Sequence, residues 1–156
     1  MTETPEIDSE KVILLVEDNP DDEELTIRAF RMNRILNKIV VAHDGAEALD
    51  VLFSRGAYAG DAALPRPPEL VLLDLNLPLV SGLDVLKQLR ADERTACLAV
   101  VVLTSSKEDE DIVTSYKRGA NAYVRKPVKF QAFVKAAEKI GLFWLVVNEP
   151  APMRKV

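Results

Sequence analysis

Four short apolar runs, rich in leucine and β-branched residues, stand out along the chain, and a fifth, weaker run follows them. Within each run consecutive positions are apolar, which is typical of parallel strands buried on both faces of a sheet. Between the runs lie polar segments whose apolar positions recur with helical spacing. The five strands that this pattern predicts are residues 11–16, 38–42, 69–74, 98–104 and 121–125.

The intervening segments carry the signals of helix ends. The first of them, residues 20–34, begins with Pro20 and several acids and finishes with arginines, an order that complements the helix dipole. In this helix Leu25, Ala29 and Met32 share one face and predict its buried side. Because strand and helix alternate five times, we expect an α/β fold, a doubly wound five-stranded parallel sheet with helices on both faces.

Three segments depart from the alternation. Residues 55–69, rich in Gly, Ala and Pro, predict a surface loop before the third strand. We expect residues 1–10 to be a flexible N-terminus and residues 148–156 a C-terminal tail, with one domain over residues 11–147. About a dozen residues follow the last helix, which is too few to fold alone, so we expect no attached output domain.

Composition and charge narrow the function. The chain has 156 residues and a formal net charge of −5, which gives no reason to expect nucleic-acid binding. Its polar, acidic N-terminus does not resemble a signal peptide, and no apolar run approaches the roughly 18 residues that cross a membrane. The single cysteine, Cys97, lies in an apolar run and is expected to be buried; a cytoplasmic protein fits these features. The single histidine, His43, is assigned no role.

Polar side chains follow the predicted strands at their carboxyl ends, the edge at which open parallel sheets bind ligands. In chain order these are Glu17 and Asp18, then Asp74 and Asn76, then Thr104 and Ser105, and finally Lys126. We therefore expect three carboxylates, hydroxyl groups and one lysine to meet in a single crevice.

Such a set constrains the chemistry. Three clustered carboxylates repel one another unless a cation neutralises them, and a set of oxygen ligands without His or Cys suits Mg²⁺. With the charge neutralised, Asp74 can attack phosphorus and form an acyl phosphate, while Lys126 and Thr104 hold phosphate oxygens. Each residue also has a structural alternative: Asp74 can cap a turn, and the acids at 21–24 are expected to be a solvated helix start.

These residues lie in motifs of a known family. The stretches LLVEDNP, LVLLDLNLPLVSGLDVLKQLR, VVVLTSS and GANAYVRKPV resemble the receiver domain of two-component response regulators, over residues 11–144. The resemblance implies the flavodoxin-like (βα)5 fold of that family, with Asp74 as the phosphoacceptor. It also implies that Glu17, Asp18 and Asp74 bind Mg²⁺, to which Asn76 adds its backbone carbonyl.

The same resemblance implies a mechanism. A histidine kinase would donate its phosphoryl group to Asp74, and Thr104 and Lys126 would contact that group. Tyr123 matches the aromatic switch residue that reorients when Thr104 moves towards the phosphate. The implied protein is a signalling domain rather than an enzyme, one that catalyses only its own phosphorylation and dephosphorylation.

A narrower resemblance rests on three further stretches. VEDNPDDEELTIRAF, the segment 55–69 and FWLVVNEPAP are similar to single-domain regulators that partner bacterial phytochromes of the cyanobacterial type. This implies a phytochrome-type histidine kinase as donor, output through protein–protein contacts, and a homodimer. Phe143, Trp144 and Val146 are the expected dimer contacts; the alternative is that Trp144 closes the edge of the core.

Other functions on the same fold make different demands on the sequence. A flavin carrier needs a loop rich in glycine and hydroxyl groups after the first strand, where this chain has the acidic EDNPDD. An aspartate phosphatase would place an acid where this chain has Asn76, and neither a P-loop nor a dinucleotide-binding glycine pattern occurs. A pseudo-receiver that binds partners without phosphorylation stays open as the alternative, and it predicts a damaged site.

Overall fold

The computed structural model describes residues 10–59, 64 and 67–152. Within them, five parallel strands form one sheet in the order β2-β1-β3-β4-β5. The strands are β1 Ile13–Val16, β2 Ile39–Ala42, β3 Leu70–Leu73, β4 Val100–Thr104 and β5 Ala122–Arg125; the helices are α1 Pro20–Met32, α2 Gly45–Phe53, α3 Gly82–Ala91, α4 Asp109–Lys117 and α5 Phe130–Leu142. A 3₁₀ turn, Gly56–Tyr58, follows α2, and a π-helical turn, Phe143–Val147, follows α5. The predicted α/β fold is confirmed.

The sheet separates two apolar cores. Alternate residues of a strand point to opposite faces, so Leu14 packs under α2 and α3 whereas Ile13 packs under α1 and α5. Strands β1, β3 and β4 are buried along their whole length, while β2 and β5 at the sheet edges are largely half-buried. This arrangement explains why the three inner strands are apolar at every position except Thr104, which ends β4.

The buried face of α1 differs from the predicted one. Ala29 is buried as expected, but Leu25 is 38% and Met32 58% exposed, and Thr26 and Phe30 are buried instead. Burial of Thr26 is tolerated because its hydroxyl donates to the carbonyl of Asp22 at 2.7 Å. The prediction of this face was therefore wrong at two of its three positions.

The exposure of Cys97 and the loop 55–69 are the next two expectations to compare with the structure. Cys97 is exposed, which corrects the expectation of a buried thiol, because it lies in a turn that ends before β4 begins. The predicted loop 55–69 falls partly on residues 60–63 and 65–66, which lie outside the described residues, as do the predicted N-terminus up to residue 9 and tail residues 153–156. Among the described residues, no helix is both long and apolar enough to cross a membrane.

The amino ends of the strands are held by Arg90. Its guanidinium donates to the carbonyls of Gly119 at 2.9 Å and Ala96 at 2.8 Å, and to Asn121 Oδ1 at 3.0 Å. Gly119 itself has a φ of +99°, a conformation that favours glycine, and a Cβ there would lie 2.9 Å from the Arg90 side chain. Arg90 thus joins the end of α3 to the segments that lead into β4 and β5.

Lys11, which precedes β1, joins this strand to the turn after α5 and to the residue before β3. Its ammonium group donates to the carbonyl of Leu145 at 2.7 Å and lies 3.8 Å from Glu69, the residue before β3. Leu145 is fully buried, so the turn after α5 is fixed both by packing and by this hydrogen bond.

Candidate functional site

The carboxyl ends of four strands bring the predicted site residues together. Asp74 directly follows β3, the central strand, and Glu17 follows β1 beside it. Thr104 ends β4, and Lys126 follows β5. The sheet hydrogen bonds continue past the strand ends, since the N–H of Asp74 donates to Val16 at 3.1 Å. The side chains therefore start from a rigid backbone.

Lys126 lies among the carboxylates. Its ammonium nitrogen is 2.9 Å from Asp74 Oδ2 and 3.0 Å from Asp22 Oδ2, and it also contacts Glu17 Oε1. Only 8% of the Lys126 side chain and 2% of the Glu17 side chain are exposed. One buried positive charge is thus shared by three carboxylates.

The second oxygen of Asp74 is held by two donors. The hydroxyl of Thr104 donates to Asp74 Oδ1 at 3.0 Å, and the backbone N–H of Asn76 donates to the same atom at 3.2 Å. Thr104 is fully buried and Asp74 is 7% exposed. Both oxygens of the Asp74 carboxylate are therefore oriented before any ligand binds.

The pKa values of the two buried carboxyl groups, Glu17 and Asp74, are shifted in opposite directions. Burial raises the pKa of Glu17 to about 7, and the charge of Asp74 adds to this while Lys126 opposes it. At Asp74 burial also raises the pKa, but the charge and hydrogen bond of Lys126 outweigh it, and the pKa lies below its ordinary value. Asp74 is thus the ionised carboxylate, whereas Glu17 loses its proton reluctantly until another cation arrives.

The donor set fits a hard divalent cation. Glu17, Asp18 and Asp74 each offer a carboxylate oxygen, and these atoms lie within 4.8 Å of one another. Asp18 is exposed, so the cluster is open to solvent on one side. The ligands are all oxygen atoms and their negative charge exceeds the single charge of Lys126, which is what Mg²⁺ or Mn²⁺ requires. The role of the Asn76 carbonyl stays a prediction.

Asp22 is a member of the site that sequence reasoning placed elsewhere. It was expected to be part of a solvated helix start, yet it contacts Lys126 across the sheet edge. Asn19 caps α1 by accepting hydrogen bonds from the N–H groups of Asp21 and Asp22, which fixes the first turn over the site. The local sequence predicts the Asn19 cap, but it does not predict that Asp22 reaches Lys126.

Ser106 is the other residue that the sequence did not single out. Its backbone oxygen accepts a hydrogen bond from the Tyr123 hydroxyl at 3.2 Å, and its N–H donates to Thr104 Oγ1 at 3.4 Å. Tyr123 is half-buried on β5, next to the site as predicted, while Ser105 is exposed. The switch role of Thr104 and Tyr123 stays a prediction, but a chain of hydrogen bonds connects them.

The residues expected at a dimer contact divide between core and surface. Phe143 is 48% exposed, and its ring meets Trp144 edge-on with centroids 4.8 Å apart. Trp144 and Val146 are half-buried and pack against the core under α1 and α5. Trp144 therefore packs at the core edge, whereas Phe143 leaves apolar surface exposed; a dimer contact through this segment stays a prediction.

Comparison with known proteins agrees with this geometry. The family described as the response regulator receiver domain matches residues 13–138. The chain belongs to this family. The resemblance stated from the motifs is therefore confirmed, as is the flavodoxin-like receiver fold.

Two curated members of the family cover most of the chain. The probable methanogenesis regulatory protein FilR2 of Methanothrix harundinacea (strain 6Ac) is 41% identical over 90% of this chain and 88% of its own length. The response regulator Rcp1 of Synechocystis sp. (strain ATCC 27184 / PCC 6803 / Kazusa) is 36% identical over 90% of this chain and 94% of its own length.

Solved structures of related regulators superpose closely. The phosphorylated cyanobacterial phytochrome response regulator RcpA has a TM-score of 0.83 at 34% identity, covering 91% of this chain and 99% of its own. The bacteriophytochrome response regulator AtBRR has a TM-score of 0.71 at 47% identity, covering 93% of this chain and 100% of its own. Rcp1 has also been solved in a Mn²⁺-bound form, at a TM-score of 0.81 and 32% identity, covering 91% of this chain and 99% of its own.

Proposed function

We propose that this receiver domain is the phosphoacceptor of a two-component phosphorelay, and that Asp74 accepts a phosphoryl group from a histidine kinase in the presence of Mg²⁺. The observation that carries the proposal is the state of Asp74. It is a buried, ionised carboxylate whose two oxygens are oriented by Lys126, Thr104 and the Asn76 N–H. A turn-capping aspartate would need only the last of these contacts.

The reaction is a phosphoryl transfer between two side chains. An oxygen of Asp74 attacks the phosphorus of a phosphohistidine; the new P–O bond forms as the P–N bond breaks, and the imidazole leaves with the electron pair and takes up a proton. Lys126 and Thr104 contact Asp74 beforehand and so lie next to the phosphoryl oxygens after transfer. A divalent cation held by Glu17, Asp18 and Asp74 would neutralise the charge on the phosphoryl group.

The donor that we propose is a phytochrome-type histidine kinase in the cytoplasm. RcpA and AtBRR are named as regulators of phytochromes, and the match to both extends over nine-tenths of this chain, as the 91% and 93% coverage indicates. FilR2, named as a methanogenesis regulatory protein, makes a kinase of a different sensory class the competing donor. The output would then be a change in protein–protein contacts.

The phosphoacceptor is tested by intact mass spectrometry after incubation with acetyl phosphate, with Mg²⁺ or with EDTA. We expect one phosphoryl adduct on the wild type with Mg²⁺, and none on Asp74→Asn. The matched control is Asp84→Asn, because Asp84 is an exposed aspartate on α3 that pairs with Arg118 at the surface. An adduct on Asp74→Asn would refute the assignment.

The proposed phosphoryl donor is tested in a separate experiment. A purified phytochrome-type histidine kinase that has phosphorylated itself with ATP is mixed with the wild type, and transfer of its label is followed over time. Transfer that requires Asp74 supports the donor class. A protein that accepts phosphoryl groups from neither acetyl phosphate nor a kinase is the pseudo-receiver of the alternative reading.

We also propose self-association through the apolar surface at the end of α5. Leu142 and Phe143 are each 48% exposed, and Val147 is 62% exposed. Phe143→Lys should shift sedimentation from dimer to monomer, whereas Val113→Lys, at a residue of α4 that is 51% exposed, should not. A wild type that sediments as a monomer over the accessible concentration range would rule out this proposal.

A further inference from the structure

Ser106 is the point at which three elements at the edge of the site are joined. Its N–H donates to Thr104 Oγ1 at 3.4 Å, and its carbonyl accepts from the Tyr123 hydroxyl at 3.2 Å. Its own hydroxyl donates to Asp111 Oδ2, in the first turn of α4, at 2.6 Å. Ser106 therefore connects the end of β4 with both β5 and α4.

The bond to Asp111 is the shortest of these contacts. A hydroxyl that donates to a carboxylate at this distance forms a charge-assisted hydrogen bond, the stronger class of such bonds. The Ser106 hydroxyl also accepts from the N–H of Glu108 at 3.3 Å, so it is used both as donor and as acceptor. Ser106 is thereby tied to the start of α4 by its side chain.

Asp111 is a firm anchor for this bond. It lies half-buried in the first turn of α4, where the helix dipole favours a negative charge. Its backbone carbonyl accepts from the hydroxyl of Ser115, a fully buried residue, at 2.7 Å. A displacement of Ser106 therefore has to lengthen the bond rather than carry Asp111 with it.

Phosphorylation would displace Ser106. The Thr104 hydroxyl donates to Asp74 in the present structure, and a phosphoryl group on Asp74 offers it new acceptors further out. Because the N–H of Ser106 is bound to that hydroxyl, a Thr104 that turns towards the phosphoryl group moves the segment after it. The contact of Ser106 with Tyr123 would change in the same movement.

We propose that the Ser106–Asp111 hydrogen bond is a latch that holds the segment between β4 and α4 in its unphosphorylated arrangement, with Asp111 as the positioning residue. The inference rests on the proposed phosphorylation of Asp74. A bond made in only one of two states favours that state, so the latch lowers the affinity of the protein for a phosphoryl group or its analogue.

The test is the affinity for beryllofluoride, a non-covalent phosphoryl analogue, measured by calorimetry in the presence of Mg²⁺. We expect Asp111→Ala to bind it about tenfold more tightly than the wild type, within the usual range of a coupling between two sites. The matched control is Asp109→Ala, which removes the same charge from the same turn of α4 at an exposed residue. Its affinity should stay close to that of the wild type.

Two further variants separate the latch from a general effect on α4. Ser106→Ala removes the donor of the same bond, so the double variant with Asp111→Ala should bind no more tightly than the tighter of the two single variants. Asp111→Asn keeps an acceptor oxygen but loses the charge, and it should bind with an affinity between those of the wild type and Asp111→Ala. Tyr123 ring signals in NMR spectra should move, in unliganded Asp111→Ala, towards their positions in the liganded wild type.

The outcomes are distinct. Equal affinities of Asp111→Ala and Asp109→Ala, or weaker binding by Asp111→Ala alone, would overturn the latch and leave the proposed phosphorylation intact. A folded wild type that binds no beryllofluoride and accepts no phosphoryl group would overturn the proposed function, and the latch with it.

Discussion

The two ends of the sheet are both closed by cations, half-buried at the amino end and buried at the carboxyl end, but the partners of those cations differ. At the amino ends of the strands, Arg90 donates to three backbone carbonyls and a side-chain amide, and Lys11 donates to one further carbonyl. At the carboxyl ends, Lys126 faces three carboxylates. The amino end pairs its two cations with neutral acceptors and one carboxylate, that of Glu69, while the carboxyl end holds more negative charge than its single cation neutralises.

This difference assigns a stabilising role to the amino end of the sheet and a chemical role to the carboxyl end. A cation bound by backbone carbonyls completes their hydrogen bonding, and its removal leaves acceptors without that donor. A group of carboxylates around one lysine is electrostatically incomplete and gains from binding a further cation. We therefore expect substitutions at the amino end to change stability alone. Substitutions that remove a carboxylate at the carboxyl end should impair function and can raise stability.

The largest expected effect is at the amino end. Arg90→Ala leaves the carbonyls of Gly119 and Ala96 without their donor, so the free energy of unfolding should fall by about 3 kcal/mol. Urea denaturation gives this value. The extent of phosphorylation per folded molecule should not change.

The control for this substitution is Lys87→Ala, an exposed residue on the same helix, for which we expect a change within about 0.5 kcal/mol. A loss of phosphorylation in Arg90→Ala at a temperature where the protein is folded would mean that the two ends are not separable in this way.

The fold was predictable because its main signal is local. Apolar runs without alternation indicate buried parallel strands, and the polar residues that end them mark one edge of the sheet. The buried face of α1 was not predictable from spacing, because Thr26 satisfies its own hydroxyl within the helix and can replace an apolar residue. Cys97 was expected to be buried because it lies in the apolar run that leads into the predicted strand 98–104, but the strand starts only at Val100 and Cys97 lies in the turn before it.

The site was predictable to the extent that it lies at strand ends. Glu17, Asp74, Thr104 and Lys126 each follow or end a strand, so topology alone brings them together. Asp22 joins them through its contact with Lys126, and Ser106 through the path of the loop after β4; neither contact is encoded in a local pattern.

At the carboxyl end, Glu17→Gln should make the protein more stable in EDTA at pH 8. Burial gives Glu17 a pKa of about 7 in the folded protein, against an ordinary value of 4.5. The folded state therefore holds the proton more tightly and loses stability as the pH rises between these values. A neutral side chain avoids that loss, and we expect a gain of about 2 kcal/mol.

The pH dependence distinguishes this effect from altered packing. The gain should fade as the pH falls through 7 and be absent below 4.5, where Glu17 is protonated in both states. Glu24→Gln, at an exposed residue of α1, serves as the control and should show no such dependence. A Glu17→Gln protein that is less stable than the wild type at pH 8 would mean that the Glu17 charge is fully compensated by Lys126.

A smaller effect is expected from Mg²⁺ itself. Binding to the folded state alone should stabilise the wild type by about 1 kcal/mol at a free concentration of four times the dissociation constant. Asp18→Asn should lose most of this increment while its stability in EDTA changes little, because Asp18 is exposed. Asp21→Asn, an exposed acid in the first turn of α1, should retain the increment. Equal increments in all three proteins would place the ion elsewhere.

The smallest effect is expected at Cys97, on the amino-end side of the sheet. Because its side chain is exposed, Cys97→Ser should change the free energy of unfolding by less than about 0.5 kcal/mol and leave phosphorylation unchanged. A thiol reagent should modify the folded protein as fast as the unfolded one to within an order of magnitude. A buried thiol would give the opposite pair of results, slow modification and a loss of more than about 1 kcal/mol on introducing the serine hydroxyl. That outcome would restore the expectation from the apolar run, and it would mean that the turn before β4 packs its thiol inward.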